Sequence, residues 1–309
     1  MTWTMESNQE YHIPVMLTEC IDALQIDPNG TYVDVTFGGG GHSRAIFEKL
    51  SPQGRLIVFD QDKDARRNAW EAPNFYFVDA NFGFLSNHLR LLGIKSVDGI
   101  LGDLGVSSHQ FDEVSRGFSF RGDADLDMRM NQKAELSAKT LVNEYSEDDL
   151  YRVFRMYGEV SNTGKLVRTI MDARVSAPIN TTGELTAVIE KCAPKHKEHK
   201  YFAQVFQAIR IEVNQEMSVL EDFLKQTEAV IRPGGRLVIM SYHSLEDRLV
   251  KNYMKRGSLT GEITKDFFGN VLKPFTEIVR HPIIANEAEL ERNSRARSAK
   301  LRIAVRDGE

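Results

Sequence analysis

Glycines are concentrated in one short segment of this 309-residue chain. Gly38 to Gly41 follow the apolar run Thr31–Phe37, and an acid, Asp34, lies inside that run. Glycine is required where a backbone turns tightly and approaches a ligand closely, because it has no Cβ. Asp60 ends the next apolar run, where an acid can accept hydrogen bonds from ribose hydroxyls. The segment therefore predicts a site for a nucleoside-containing cofactor.

Two cofactors compete for this predicted site. The dinucleotide fingerprint G-x-G-x-x-G, counted from Gly38, requires a glycine where this chain has Ser43. Asp34 ahead of the glycines matches the looser methyltransferase pattern instead. S-adenosylmethionine also has no pyrophosphate, and its cationic amino group suits an acidic loop. We therefore favour S-adenosylmethionine. The alternative is a glycine-rich turn without a ligand, in which His42 only starts a helix.

Another acid, Asp103, comes at the end of the apolar run Val97–Leu104. The carboxyl ends of parallel strands meet at one edge of a sheet, so we expect Asp103 beside the glycine loop. A carboxylate there can accept a hydrogen bond from a target amine. The lone pair of an exocyclic base amine is delocalised into the ring, so the nitrogen is a weak nucleophile. An acceptor that binds one N–H helps the nitrogen to rehybridise, and in-line positioning of the methyl group supplies much of the remaining rate. The alternative role for Asp103 is that of a turn cap.

The two cysteines, Cys20 and Cys192, are far apart and offer no metal-ligand spacing. We expect no metal and a reduced, cytoplasmic protein. A cytosine C5-methyltransferase needs a cysteine nucleophile, and neither cysteine lies at a predicted strand end. Methylation of nitrogen is therefore favoured over methylation of carbon if the substrate is a base.

Charge and hydropathy exclude some classes of protein. The net charge is -5, so a contact with nucleic acid must be local. Met1–Cys20 has neither a basic start nor an apolar run, so we expect no signal peptide. No segment approaches the roughly 18 apolar residues of a membrane span. One basic cluster near the end is a candidate RNA contact or a solvated tail; it comprises Arg292, Arg295, Arg297, Lys300, Arg302 and Arg306.

Strands and helices alternate in the first third of the chain, which predicts a parallel sheet covered by helices. The predicted strands are Thr31–Phe37, Arg55–Asp60, Phe75–Val78 and Val97–Leu104, and the predicted helices are Ser43–Leu50, Asp62–Trp70 and Phe82–Leu92.

The alternation stops after the fourth strand. Gly105–Met130 is typical of a loop, and residues 134–200 indicate helices only. Phe202–Ile231 is predicted to be one long helix, and Arg236–Tyr242 a fifth strand. An antiparallel pair within Phe267–Val305 would complete the sheet. We therefore predict a cofactor-binding domain of residues 1–133 and 201–309, with residues 134–200 as an inserted helical subdomain.

Polar residues also follow the fifth strand. His243, Ser244 and Arg248 would face the same cleft and, if the substrate is a base, line its pocket, because a base must leave its stack before a methyl group can reach it. Capping of the next helix by Ser244 is the alternative, and both roles are compatible. His243 and Glu246 resemble a metal pair, but two ligands alone are a weak signal.

Seven stretches of the chain resemble the bacterial ribosomal RNA small subunit methyltransferase H family, in order and across nearly the whole chain. They are Thr36–Ser43, Asp103–Asp112, Arg116–Phe120, Leu126–Met130, Phe206–Asn214, His243–Arg248 and Arg295–Arg302.

The resemblance implies a Rossmann-like class I S-adenosylmethionine methyltransferase fold and methylation of the N4 amine of one cytidine in the decoding centre of 16S ribosomal RNA. By resemblance, the methionine end of the cofactor is held by Gly40, Gly41 and His42, the ribose by Asp60 and the adenine by Phe82, while Asp103 and Gln110 complete the pocket. Arg295 and Arg297 become the expected phosphate contacts, and Ser107 joins the residues expected near the substrate. The resemblance also implies that residues 134–200 form a substrate-recognition subdomain that helps to grip RNA.

The chain departs from the family pattern at several positions. Tyr242 replaces the usual Phe, Ser294 the usual Pro and Gly102 a bulkier residue, and Gln204-Val205 stands where many members have Arg-Thr. These departures affect the expected RNA contacts more than the reaction. The oligomeric state, a homodimer included, and the choice between free RNA and the assembled small ribosomal subunit stay open.

Overall fold

The computed structural model describes residues 14–308. Met1–Ile13 and Glu309 lie outside this range, and so does most of the segment in which we expect no signal peptide. Within the described range, no helix has both the length and the apolar character needed to cross a bilayer.

Within residues 14–308, seven strands form one sheet. They are β1 (Thr31–Asp34), β2 (Arg55–Asp60), β3 (Phe75–Asp79), β4 (Val97–Asp103), β5 (Ile231–Ser241), β6 (Phe275–Glu277) and β7 (Lys300–Arg306). Their spatial order is β3-β2-β1-β4-β5-β7-β6, with β1 to β5 parallel and β7 antiparallel to both neighbours. The chain leaves β1 towards β2 and returns to β4 on the other side, which creates a crevice at the carboxyl ends of β1 and β4. The predicted Rossmann-like α/β fold is confirmed.

The helices of the described residues are α1 (Leu17–Leu24), α2 (Gly41–Phe47), α3 (Leu85–Leu91), α4 (Ser108–Asp112), α5 (Ala138–Glu144), α6 (Glu147–Met156), α7 (Thr163–Ser176), α8 (Thr182–Glu190), α9 (Glu198–Val213), α10 (Glu216–Val230), α11 (Ser244–Arg256) and α12 (Glu287–Arg292). The predicted helix Asp62–Trp70 is wrong, because only one 3₁₀ turn, Ala65–Asn68, forms there. The predicted loop Gly105–Met130 contains α4 and a second 3₁₀ turn, Val114–Arg116.

Both faces of the sheet are covered by helices. Tyr32 of β1 packs with the apolar residues of α1 and α2, whereas its neighbour Val33 packs with those of α3, α10 and α11. Side chains alternate between the faces of a strand, and the buried strands are apolar on both sides. The two cores fix the strand ends, and therefore the loops that carry the acidic residues.

Helices α5 to α9, between β4 and β5, have an apolar core of their own. This core runs from Phe118, in the loop before α5, to Val213 at the end of α9. Packing therefore extends on both sides of residues 134–200, and the subdomain boundaries stay a prediction.

The single helix predicted for Phe202–Ile231 is wrong. Helix α9 ends at Val213, and Gln215 has a left-handed backbone with a φ of 51° before α10 begins. The Asn214 side chain accepts the Met130 N–H at 2.7 Å and donates to the Met128 carbonyl at 2.8 Å. The break therefore joins the helical region to the loop after β4, next to the crevice.

Candidate active site

The glycine loop is held from below by Asp34. This buried carboxylate accepts hydrogen bonds from the Ser43 hydroxyl at 2.6 Å and from the Thr36 N–H at 3.0 Å. These bonds connect the end of β1 to the first turn of α2. Asp34 therefore supports the loop through its own hydrogen bonds. The acid on which the prediction of S-adenosylmethionine rested thus binds groups of the protein itself.

The four glycines of the loop differ in what the fold requires of them. Gly38 and Gly40 have φ values of 51° and 76°, which non-glycine residues rarely adopt. A Cβ on Gly41 would lie 2.2 Å from Cγ of Pro14, whereas a Cβ on Gly39 would meet nothing within 4 Å. The loop is therefore fixed at its ends and leaves bare backbone at Gly39 for a ligand to approach.

Asp60 closes β2 beside this loop. Its carboxylate accepts the Gly38 N–H at 2.8 Å on one oxygen and the Asp62 N–H at 2.8 Å on the other. Burial raises the pKa of Asp60 to about 6. Each carboxylate oxygen has a second lone pair, so Asp60 can still accept hydrogen bonds from two neighbouring hydroxyls.

The loops after β2 and β4 are joined by buried polar contacts at Asp62. The Gln110 amide donates to Asp62 at 2.7 Å, and the buried Arg116 guanidinium donates to Asp62 at 2.8 Å and Asp64 at 3.2 Å. Gln110 also accepts the Ser107 N–H at 3.0 Å, so both ends of its amide are used. The structure thus places Gln110 as a link between loops.

Sequence reasoning missed these roles of Asp62 and Arg116. The available signal was three acids at alternate positions after β2, namely Asp60, Asp62 and Asp64, together with the arginine in the stretch Arg116–Phe120.

Asp103 lies at the carboxyl end of β4, as its position predicts. Its N–H donates to the Thr36 hydroxyl at 2.6 Å, and its Oδ1 accepts the Tyr242 hydroxyl at 2.7 Å. Its Oδ2 lies 3.8 Å from Nδ1 of His42. Burial raises the pKa of Asp103 to about 6, so at neutral pH the group is mostly a carboxylate that can accept an N–H.

His42 is buried between the loop and the segment before α1. Its Nε2 lies 3.1 Å from the Val15 carbonyl oxygen, which can only accept, so Nε2 carries the proton. Nδ1 is therefore the ring nitrogen that faces Asp103. Gly40, His42 and Asp103 are thus brought together, and Ser107 adjoins them, since a Cβ on Gly38 would lie 3.5 Å from that of Ser107.

A cleft extends from these loops to the break between α9 and α10. Phe82 lies in it half-buried, with its ring edge-on to Phe223 at 5.4 Å. The lining combines aromatic, amide and carboxylate groups: Gln61, Asn81, Phe82, Leu104, Gly105, Met130, Asn214, Glu216, Val219, Leu220 and Glu246. An aromatic ring, amides and the Asp60 carboxylate are a donor and acceptor set that fits an adenosyl group.

The residues after β5 are arranged around the start of α11. His243 caps this helix, since its Nδ1 accepts the Glu246 N–H at 3.3 Å. Ser244, the expected cap, instead donates to Glu159 in the helical region at 3.3 Å. Arg248 is exposed. His243 therefore lies against Glu246, which lines the cleft, whereas Ser244 contacts the helical region and Arg248 is exposed.

His243, Glu246 and Glu216 place three potential ligand atoms within 4.8 Å of one another. Both oxygens of Glu216 are already bound by the Arg210 guanidinium, at 2.8 and 2.9 Å. In the neutral His243 ring, Nδ1 uses its lone pair as the helix cap, so Nε2 carries the proton and has no lone pair for a cation. Arg210 and the start of α11 therefore already use several of these ligand atoms, whereas the buried Nε2 of His243 lies 3.2 Å from Glu246 Oε1 and has no hydrogen-bond partner among the described residues.

The basic cluster near the end is largely neutralised by acids from elsewhere. Arg292 pairs with Glu289, Arg295 with Asp112, Lys300 and Arg302 with Asp247, and Arg306 with Glu228. Arg297 is exposed and has no ion pair with any residue in the range 14–308. Arg295 lies at the end of α4, which begins beside Ser107, and is therefore near the rim of the cleft.

The fold and this crevice define a methyltransferase that uses S-adenosylmethionine. The chain matches the sequence model of the MraW methylase family over residues 9–307, and it belongs to this family.

Three curated relatives that match nearly the whole chain share the name "Ribosomal RNA small subunit methyltransferase H". The relative from Flavobacterium johnsoniae is 54% identical over 300 residues, which are 97% of this chain and 99% of the relative. Relatives from Bacteroides fragilis strain YCH46 and Cytophaga hutchinsonii are each 52% identical over 299 residues. They cover 97% and 96% of this chain, and 98% and 100% of their own lengths. The predicted family, enzyme class and methyl donor are confirmed.

Proposed function

We propose that this enzyme methylates the exocyclic N4 amine of a cytidine in the decoding centre of 16S ribosomal RNA, in the bacterial cytoplasm and within the small ribosomal subunit. The relatives' name supports a small-subunit ribosomal RNA substrate. The observation that carries the choice of an amine is the fixed Asp103 carboxylate at the carboxyl end of β4, beside the glycine loop.

When bound, S-adenosylmethionine supplies an electrophilic methyl group. Gly40, Gly41, His42 and Asp60 would hold it. Asp103 would accept one N–H of the target amine, which orients the nitrogen and favours its rehybridisation. An ionised carboxylate is an acceptor only, so it selects an amine over a carbonyl oxygen at this point of the base.

The cysteines support nitrogen as the methylated atom. Cys20 is buried in α1, and burial raises the pKa of its thiol well above its usual range. Cys192 is also buried, in the helical region, where its thiol donates to the Thr169 hydroxyl. Neither is an accessible thiolate, which a carbon-methylating enzyme would need as nucleophile.

The expected RNA contacts are arranged around the cleft. We assign the base pocket to Ser107 and His243, and phosphate contacts to Arg295 and Arg297. Ser244 and Arg248 were predicted for the base pocket, but we assign them to RNA contacts outside it, because Ser244 bonds Glu159 and Arg248 is exposed. Residues 134–200 would grip the RNA from the other side, since Ser244 already contacts this region through Glu159.

The test is transfer of labelled methyl groups from S-adenosylmethionine to small subunits and to naked ribosomal RNA, followed by nuclease digestion and mass spectrometry. We expect N4-methylcytidine from the wild type and a loss of at least a hundredfold in Asp103→Ala. Asp79→Ala, which removes an exposed acid from the end of β3, is the matched control. Labelling of carbon 5, or no transfer to either substrate, would contradict the proposal.

A further inference from the structure

Tyr242 makes a direct contact with the proposed amine acceptor. It follows β5, the strand beside β4, and in this pairing Met240 lies opposite Asp103. The half-buried Tyr242 side chain donates its hydroxyl proton to Oδ1 of Asp103 at 2.7 Å. A phenol has one proton to donate, so the contact uses the whole donor capacity of Tyr242.

Within the described residues, the Tyr242 hydroxyl is the only group that donates a hydrogen bond to the Asp103 carboxylate. The Asp103 N–H is committed to Thr36 and does not reach its own carboxylate. The nearest nitrogen of His42 lies 3.8 Å from Oδ2, beyond hydrogen-bond distance. The titratable groups that act on Asp103 from the surrounding elements are His42, Tyr242, Asp34, Glu246 and Cys20.

The carboxylate needs such a donor for two reasons. Rotation about the terminal torsion of aspartate is broad and roughly two-fold, so packing alone fixes it weakly. Burial and the nearby acids Asp34 and Glu246 also disfavour its ionised form, whereas the charge of the His42 ring and, after it, the hydrogen bond from Tyr242 favour that form.

We propose that Tyr242 is a positioning residue for methyl transfer, whose hydroxyl fixes the orientation of the Asp103 carboxylate and keeps it in the form that accepts an amine N–H. This inference rests on the proposed function, because it takes Asp103 as the amine acceptor. Phenylalanine in place of Tyr242 would fill the same space without this bond, so the interaction depends on the tyrosine that this chain has at position 242.

The first test is Tyr242→Phe, which removes one oxygen atom. We expect kcat at pH 7 to fall about tenfold, with KM for S-adenosylmethionine unchanged within about twofold. The acid limb of the pH profile of kcat/KM should move to higher pH, since the ionised carboxylate loses its donor. Tyr253→Phe is the control: it removes the hydroxyl of another buried tyrosine, which lies near Thr227 and Glu228 and not near Asp103, and should leave both readouts unchanged.

The second test strengthens the bond. Replacement of Tyr242 by 3,5-difluorotyrosine makes the phenol more acidic and a better donor, so the acid limb should move to lower pH. A merely structural hydroxyl would not move the limb in opposite directions in the two variants. An unchanged limb and kcat in Tyr242→Phe would overturn the inference, and so would equal losses of activity without any movement of the limb.

A readout without catalysis separates this inference from the proposed function. Carboxyl-¹³C aspartate labelling, with Asp103→Asn for assignment, gives the titration of Asp103 by NMR. We expect the pKa of Asp103 to be higher in Tyr242→Phe than in the wild type, even if ribosomal RNA proves not to be the substrate. An equal pKa in both proteins would refute the role of Tyr242 whatever the activity shows.

Discussion

The cleft and the basic cluster at Arg292–Arg306 differ in whether their charged groups are already paired within the protein. Beside the cleft, Asp60 and Asp103 are half-buried, and their oxygens keep lone pairs for a ligand. In the basic cluster, acids from distant elements already hold most of the cations, as Asp247 does for Lys300 and Arg302. A run of like charges in sequence therefore does not identify a binding surface, whereas acids at strand ends do identify a cleft, because the sheet brings them to one edge.

The largest effect should come from removing the acceptor charge in the cleft. Asp103→Asn keeps the size of the side chain but replaces an acceptor-only carboxylate with an amide. The NH₂ of that amide is a donor and can bond the Tyr242 oxygen instead of accepting an amine N–H. We expect kcat for transfer to ribosomal RNA to fall about 10³-fold, with stability largely kept. Asp79→Asn should be neutral. An Asp103→Asn enzyme with near wild-type kcat would remove Asp103 from the chemistry.

Arg116 tests whether the cleft depends on its buried support. Arg116→Met leaves the carboxylates of Asp62 and Asp64 without their cation, and breaking one side of a buried pair costs about 3–5 kcal/mol. We expect the free energy of unfolding to fall by about that much in urea denaturation. The exposed Arg121→Met is the control. Equal stability of the two variants would show that these loops are held by other contacts.

The strands were predictable from sequence, and the connections were less so. β2 is predicted to the residue, because a buried parallel strand is a continuous apolar run between polar ends. The break at Asn214–Gln215 was not predictable from apolar spacing, since neither glycine nor proline marks it and its cause is the distant backbone of Met128 and Met130.

The site shows the same division. Gly40, His42 and Asp103 meet because each follows a strand, and their position needed only the order of the strands. The roles of Tyr242, Asp62 and Arg116 depend on contacts between residues that are 48 or more positions apart. Such pairings do not show in local patterns of residue type.

The pH profile separates the two acids of the cleft. Both have a pKa near 6, and both act as ionised acceptors, so activity should be lost as pH falls below 6. We expect a plot of log kcat/KM against pH to approach a slope of 2 at acid pH for the wild type, because two groups must lose a proton. Asp60→Asn should raise KM for S-adenosylmethionine about tenfold and reduce that slope to 1. A wild-type slope of 1 would mean that only one of these carboxylates is required in its ionised form.

The smallest effect, and the sharpest test of the comparison, lies within the basic cluster. Arg297 is exposed, and within residues 14–308 it has no ion pair, whereas the Arg302 side chain is only 8% exposed and binds Asp247 at 2.7 Å. Arg297→Ala should weaken binding to ribosomal RNA about threefold at low salt and reduce the salt dependence of log K by about 1, since one phosphate contact releases about one counterion. Arg302→Ala should lower the free energy of unfolding instead and leave that salt dependence unchanged, because its charge is already matched inside the protein. The reverse pattern would mean that RNA displaces the internal acids, so that the whole cluster, and not Arg297 alone, forms the binding surface.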